Sequence, residues 1–343
     1  MITYKTIFSG HLDFGTKRSY DQVVKMYEHR YENYYRRSVL FNFEDIFDEE
    51  CLCMNIPRFI APHAGAKEWN NTVNLLKYVA QYAVAGNFRA WKLENGKCLD
   101  SVYIEPEGDK AAIQQFLHGR NLIKEEGMEN EASKALSRAI EKFERHAFAY
   151  ERRGFVNYRL GNHKDAIYDY TKSIDICQNN AEPYLGRAYA KRATGDIKGA
   201  IADLALTCSK SIPHQAIYWQ ARRLKGELHL ELKEYTKAIF EFKLFTNRAF
   251  DKKNPNYARR KQVFALYGKA LIGAGEYQKA IDMFNSSLAI SEKGQEKAPA
   301  ASEPFLLRGI ARQKAGQKGF VKDWKEAEQL GSREATELLA ASR

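Results

Sequence analysis

No segment of this chain approaches the run of about 18 apolar residues that a membrane-spanning helix needs. The most apolar stretch, residues 75–85, is interrupted by Lys77 and Gln81. That excludes a helical membrane protein. The opening residues alternate as a strand does, so no cleavable leader is expected. Cysteine is scarce: Cys51, Cys53, Cys98, Cys177 and Cys208 are odd in number and scattered. This excludes a disulfide scaffold and predicts reduced thiols in a cytoplasmic protein. Cys51 and Cys53 have one residue between them and no second pair follows, so no zinc ribbon is encoded. The eight histidines form no metal-ligand spacing, and neither a glycine-rich phosphate loop nor a nucleophile elbow occurs. No catalytic residue, metal or cofactor is therefore predicted, and the chain reads as a non-enzyme. The acidic stretch 44–50 lacks the ligand spacing and turn glycine of a calcium loop. It is expected to be solvated or to dock on a basic surface of the same chain.

What the sequence does hold is a repeat. Gly127, Gly161 and Gly195 lie 34 residues apart, each followed five residues later by Ala132, Ala166 or Ala200. The step returns as Lys233 to Ala238, Gly275 to Ala280 and, degraded, Gly316 to Val321. A small residue stands twelve positions before the end of the step at Gly154, Ala188, Gly226, Gly268 and Gly309. A period in this range marks a solenoid of stacked units, each too small to bury its apolar face alone. In residues 147–180, helical spacing runs from Tyr150 to Leu160 and ends at Gly161-Asn162. Glycine there adopts positive φ without steric cost. A second helix is predicted from His163 to Ile176. Gly154 and Ala166 are small where the two helices cross, and Tyr150, Tyr170 and Ile174 fill the space around them.

This pattern resembles the tetratricopeptide repeat. The family's bulky residue, glycine, aromatic, alanine, aromatic and small residue are met by Tyr150, Gly154, Tyr158, Ala166, Tyr170 and Ser173. The resemblance implies a mainly α fold over residues 111–343, a right-handed α-α superhelical solenoid of six helical hairpins. The units fall near 113–146, 147–180, 181–214, 219–252, 261–294 and 302–332, with a capping helix over 333–343. Lys233 replaces the turn glycine of the fourth unit, and Val321 the packing alanine of the sixth. Residues 251–255 are expected to bend the stack.

Residues 1–108 carry no repeat and read as a small α+β domain of no recognised family. A strand over Met1–Phe14 precedes a helix from Tyr20 to Tyr35, then short strands Val39–Phe43 and Leu52–Ile56. A helix over Lys67–Ala83 follows, and Asn95-Gly96 predicts a type I′ hairpin between 88–93 and 98–104. The net charge of +11 is uneven. Residues 1–110 hold 14 basic and 15 acidic side chains, whereas 181–260 alone hold 16 and 8. The solenoid is the basic part, which favours an acidic partner by long-range attraction.

The resemblance also implies a concave groove lined by the first helices of the units. Its predicted residues are Asn121, Lys124, Phe148, Phe155, Tyr158, Tyr189, Arg192, Arg223, Gln262 and Lys269. Leu117, Glu151, Leu185, Glu227, Leu306, Ile310 and Gln313 complete it. Aromatic rings give contact area at low entropy cost, and Arg or Lys orients carboxylates. The competing reading is that Phe155, Tyr158 and Tyr189 pack between neighbouring units. The carboxylate clamp of the chaperone-tail binders is not expected: Asn121 matches one position, but Leu117 stands where its lysine belongs. The leading expectation is a non-catalytic scaffold or adaptor for a protein or peptide segment. A second is nucleic-acid binding through Arg152-Arg153, Lys191-Arg192, Arg222-Arg223 and Arg259-Arg260. Helical neighbours point about 100° apart, so at most one of each pair shares a face. A third is an enzyme or small-molecule sensor in residues 1–105, with His63 and the acidic loop as its candidate pocket.

Overall fold

In a computed structural model of the chain, the described residues are 3–108, 110–290 and 302–342. Ile2 of the predicted first strand, the fifth unit's last residues 291–294 and Arg343 lie outside them. The chain forms two compact units, 1–206 and 207–343.

The first unit opens with an antiparallel sheet of order β2-β3-β1-β4-β5. Its strands are β1 (Thr3–Asp13), β2 (Phe47–Asp48), β3 (Cys53–Gly65), β4 (Ala85–Glu94) and β5 (Lys97–Ile104). Helices α1 (Lys17–His29) and α2 (Ala66–Ala80) cover one face. Phe8 and Leu12 of β1 meet Met54, Phe88, Tyr27, Trp69, Leu76 and Val79 there in one buried cluster. Asn95 (φ 48°) and Gly96 (φ 77°) turn the β4–β5 hairpin as predicted. Two expectations are corrected. The predicted strand 39–43 is irregular chain entering a 3-10 turn at Phe43–Asp45. The strand predicted to end at Ile56 continues to Gly65, so His63 lies on a strand. Pro57 and Pro62 fall where β3 shifts register against β1. β2 pairs only with Cys53 and Met54, so beyond them β3 is the outer strand and tolerates proline, and both residues blunt it against further pairing.

The opposite face of the sheet is also buried along β1 and β4, apolar at Ile7 and Trp91 and polar toward Asp13. Phase 2 places Ser9, His11 and Asp13 on it, with His11 4% and Asp13 1% exposed, and Asn87 is buried beside them. A sheet with two buried faces needs a second covering layer. Helical pairs follow in the same compact unit: α3 (Ala111–Leu122) with α4 (Glu129–Lys142), α5 (Ala147–Arg159) with α6 (His163–Ile176), and α7 (Glu182–Ala193) with α8 (Ile197–Lys210).

The second compact unit holds α9 (Ala216–Glu231) with α10 (Tyr235–Thr246), α11 (Arg260–Gly273) with α12 (Tyr277–Ala289), and α13 (Ser302–Lys314) with α14 (Phe320–Gln329). Helix α15 (Arg333–Ala341) closes it, burying Ala335 and Leu339 in a cluster with Trp324 and Ala327. The insertion before α11 folds back onto its own pair. Phe250 packs at 5.7 Å from Trp219, and Asn256 Nδ2 donates to the Ala216 carbonyl.

The crossing of each pair explains the small residues. A Cβ on Gly154 would sit 3.1 Å from Tyr170, and one on Gly226 2.6 Å from Phe242. Gly268 faces Phe284 and Gly309 faces Trp324 in the same way. In the last pair the spacing is one residue shorter, so Phe320 occupies the alanine place and Val321 is 38% exposed. That corrects the expectation that Val321 packs there. Lys233 does take the turn glycine's role, with φ of 58°.

A recurrent cation also crosses four of the six pairs. Arg153 donates to both carboxylate oxygens of Asp169 (3.0 and 2.7 Å) and to Ser137 Oγ on the preceding pair. Arg187 does the same to Asp203 (2.9 and 2.7 Å) and Thr171. Arg308 grips Asp323 (3.1 and 2.6 Å) and Asn285. In the α9–α10 pair Lys225 and Arg222 share Glu241. Among the described residues two pairs depart: α3–α4, with His118 and Ala135 at these places, and α11–α12. In α11–α12, Tyr267 and Met283 hold the corresponding places and pack in an apolar cluster.

Candidate protein-binding groove

The small residue at each crossing sets the phase of the groove-facing stripe. In α3 that residue is Gly119, whose Cβ would lie 2.7 Å from Leu136. The stripe there therefore runs through Ile113, Phe116, Arg120 and Ile123, one residue before the predicted Leu117, Asn121 and Lys124. Asn121 and Lys124 are exposed and bond to one another at 3.3 Å. Gly119 was the missed signal, because its distance to Ala132 is one residue longer than in later units.

Along α5 and α7 the expected residues do face inward, but not to open solvent. Phe148 is buried, and Glu151 is 5% exposed. Phe155 and Tyr158 pack with Tyr170 and Ala190, and the rings of Tyr158 and Tyr189 are 6.1 Å apart. These aromatics join neighbouring pairs. Leu185 is buried, while Tyr189 and Arg192 are half-buried.

What covers this stripe is the chain's own sheet. Arg120 donates to both carboxylate oxygens of Glu105 (2.6 and 3.1 Å) just after β5. Arg89 of β4 lies 3.6 Å from Glu182 and stands over the Tyr103 ring. Asn179 Nδ2 donates to Asn55 Oδ1 at 3.5 Å. Val84, Ala85 and Gly86 close a narrow cleft against Ile113, Phe116, Leu117 and His146. The polar back of the sheet thus meets the first three helical pairs. Burial pushes the Glu151 carboxyl up, against the nearby Arg152, and Glu182 pushes the same way. Burial takes the His146 imidazole down to about 4. Its Nδ1 accepts the Ala149 N–H at the start of α5.

In the second compact unit the stripe is more open. Arg223 is paired with Glu227. Gln262 and Gln313 are exposed, and Lys269 reaches Glu303 at 3.2 Å with both about half exposed. Leu306 is buried and Ile310 half-buried between them.

Several cations of the basic pairs are engaged within the helical pairs. Arg153 and Arg222 are committed to the internal carboxylates above, Lys191 joins Arg187 on Asp203, and Arg152 faces Glu151. Arg260 lies over the Tyr257 ring. The acidic loop does not reach the basic helices through Glu49, which pairs with Lys17 of its own domain. An open cleft of about 420 Å³ is lined by Leu40, Phe41, Asn42, Asp45, Ile46 and residues 55–59. His63 is exposed and not on it. No helix among the described residues is long and apolar enough to cross a membrane.

The tetratricopeptide repeat model matches residues 130–181. No curated protein matches the chain. Among solved structures, the chain is similar to YrrB, a TPR protein with an unusual peptide-binding site, at 14% identity and a TM-score of 0.51. That match covers 62% of this chain and 100% of the other. PilF of Pseudomonas aeruginosa is similar at 16% identity and a TM-score of 0.52, over 68% and 98% of the two chains.

Proposed function

Because the helical part of this chain belongs to the tetratricopeptide repeat family, we propose that the protein is a non-catalytic adaptor holding a segment of a protein partner. One observation supports the location of that segment. The inward stripe of α3, α5 and α7 lies under the sheet domain, whereas Gln262, Lys269, Glu303 and Gln313 on α11 and α13 are exposed. The partner segment lies across these residues, with Ile310 beneath it as an apolar contact. Lys269 supplies orientation by exchanging Glu303, a weak exposed ion pair, for a carboxylate of the partner. The surplus of basic residues in 181–260 favours an acidic segment. YrrB, with its unusual peptide-binding site, shows the same class of interaction. Nucleic acid is the weaker reading, since Arg152, Arg153, Lys191, Arg222 and Arg223 face carboxylates of this chain.

Affinity capture on the full chain, with nuclease present, tests the proposal. The double variant Gln262→Glu, Lys269→Glu is expected to lower partner retention about tenfold. Unchanged retention would remove α11 and α13 from the site, and capture abolished by nuclease would replace the adaptor reading.

A further inference from the structure

The turn between β2 and β3 gathers two thiols and a carboxylate. One ligand atom each of Asp48, Cys51 and Cys53 lies within 4.8 Å of the others. The local chain geometry produces this. Asp48 Oδ1 accepts the Cys51 N–H at 3.0 Å, which folds the turn back on itself. Leu52 then adopts φ of 52°, a left-handed conformation that a residue with a Cβ rarely takes. In an extended strand, residues two apart stand nearly 7 Å apart along the chain. The left-handed Leu52 departs from that extended geometry between the two cysteines.

A second observation is independent of the turn. Asp13 is the register partner of Cys53 on β1 and only 1% exposed. His11 Nε2 stands 3.0 Å from one of its carboxylate oxygens, and the other has no hydrogen-bond donor among the described residues. A buried carboxylate with an unpartnered oxygen is costly, and it creates a negative field beside Cys53.

We propose that Asp48, Cys51 and Cys53 bind a thiophilic divalent cation of the Zn²⁺ class. Two sulfurs among three ligands select a soft or borderline cation over Ca²⁺ or Mg²⁺. Tetrahedral zinc with metal–sulfur bonds of about 2.3 Å places its sulfurs roughly 3.8 Å apart. The three ligand atoms therefore need to close by only about 1 Å, which side-chain rotation supplies. Asp48 is exposed and Cys51 half-buried, so the ion has an entry path and water completes the fourth position. Binding displaces both thiol protons and tightens as pH rises.

The test uses the full chain, purified reduced, stripped with chelator and dialysed against Zn²⁺ alone. One equivalent is expected to remain, and Co²⁺ substitution is expected to give thiolate charge-transfer bands with tetrahedral visible intensity. Cys51→Ser and Cys53→Ser should each weaken binding at least about tenfold, with Cys98→Ser as the unaffected control. Since Cys53 is buried and its variant risks misfolding, Asp48→Asn gives a second route. Asparagine keeps the turn hydrogen bond through its carbonyl oxygen but removes the charge, and should weaken binding in a folded protein. No retained zinc, or zinc indifferent to Asp48→Asn and both cysteine variants, would overturn the site. So would a Cys51–Cys53 disulfide that persists in reduced protein.

Discussion

A single histidine carries a pH dependence that can be isolated. His146 is 2% exposed, its ring 4.8 Å from that of Phe116, and its neutral Nδ1 caps α5. Its folded value of about 4 lies below the ordinary imidazole value near 6.5. The unfolded chain therefore binds more protons between those values, so stability rises with pH across that window and is flat above it. Between pH 7 and pH 5 this group alone removes about 2 kcal/mol. Urea unfolding at the two values should show that loss, and His146→Asn, which retains a capping oxygen, should show much less of it. Equal losses in both proteins would assign the effect elsewhere. Nothing in the sequence marked His146, because its burial against Phe116 depends on a contact across thirty residues.

At the scale of elements, the ladder of Arg to Asp or Glu pairs is the feature that periodicity alone did not expose. Arg153 and Asp169, Arg187 and Asp203, and Lys225 and Glu241 are each 16 residues apart, so the signal was present. It was hidden because the same cations also read as a surface stripe. A buried ion pair is weak evidence of net stability, but a broken one is costly. Asp203→Ala leaves the half-buried Arg187 and Lys191 without their acceptor and should cost about 3–5 kcal/mol by denaturant titration. Replacing both Arg187 and Asp203 by methionine should cost far less, since Tyr267 and Met283 already stand as an apolar version in the α11–α12 pair. A double variant as damaged as the single one would show that the pair itself supplies stability. The glycine and alanine crossings and the hairpin turn, by contrast, were legible, because each depends on residues close in sequence.

For the molecule as a whole, the consequential contact is that of the sheet's polar back with α3, α5 and α7 inside the first compact unit. Arg89 holds this contact through Glu182, with the buried Glu151 also close enough to influence both. Arg89→Glu would place a third carboxylate there. Hydrogen exchange on the full chain should accelerate in α5, α7 and the back-facing amides of β4, while α1 and α2 keep their protection. Uniform loss of protection would mean that the sheet domain and the helices unfold as one piece. Retained protection would mean that Arg89 does not hold the contact.

Sequence alone determined the repeat, its helical pairs, the closing helix and the α+β character of the first hundred residues. Helical phase, turn conformation and strand alternation are local properties, repeated often enough in this chain to be read without coordinates. Alternation could say that the sheet has two faces, and composition that the helices are basic. Neither could say what lies against a polar face or which carboxylate takes a given cation. Tertiary structure decided that the first half of the groove is covered by the chain's own sheet, that its cations serve the helical pairs, and that Asp48 joins Cys51 and Cys53. These outcomes rest on contacts between residues far apart in the chain, where burial and charge pairing act only after the elements have met.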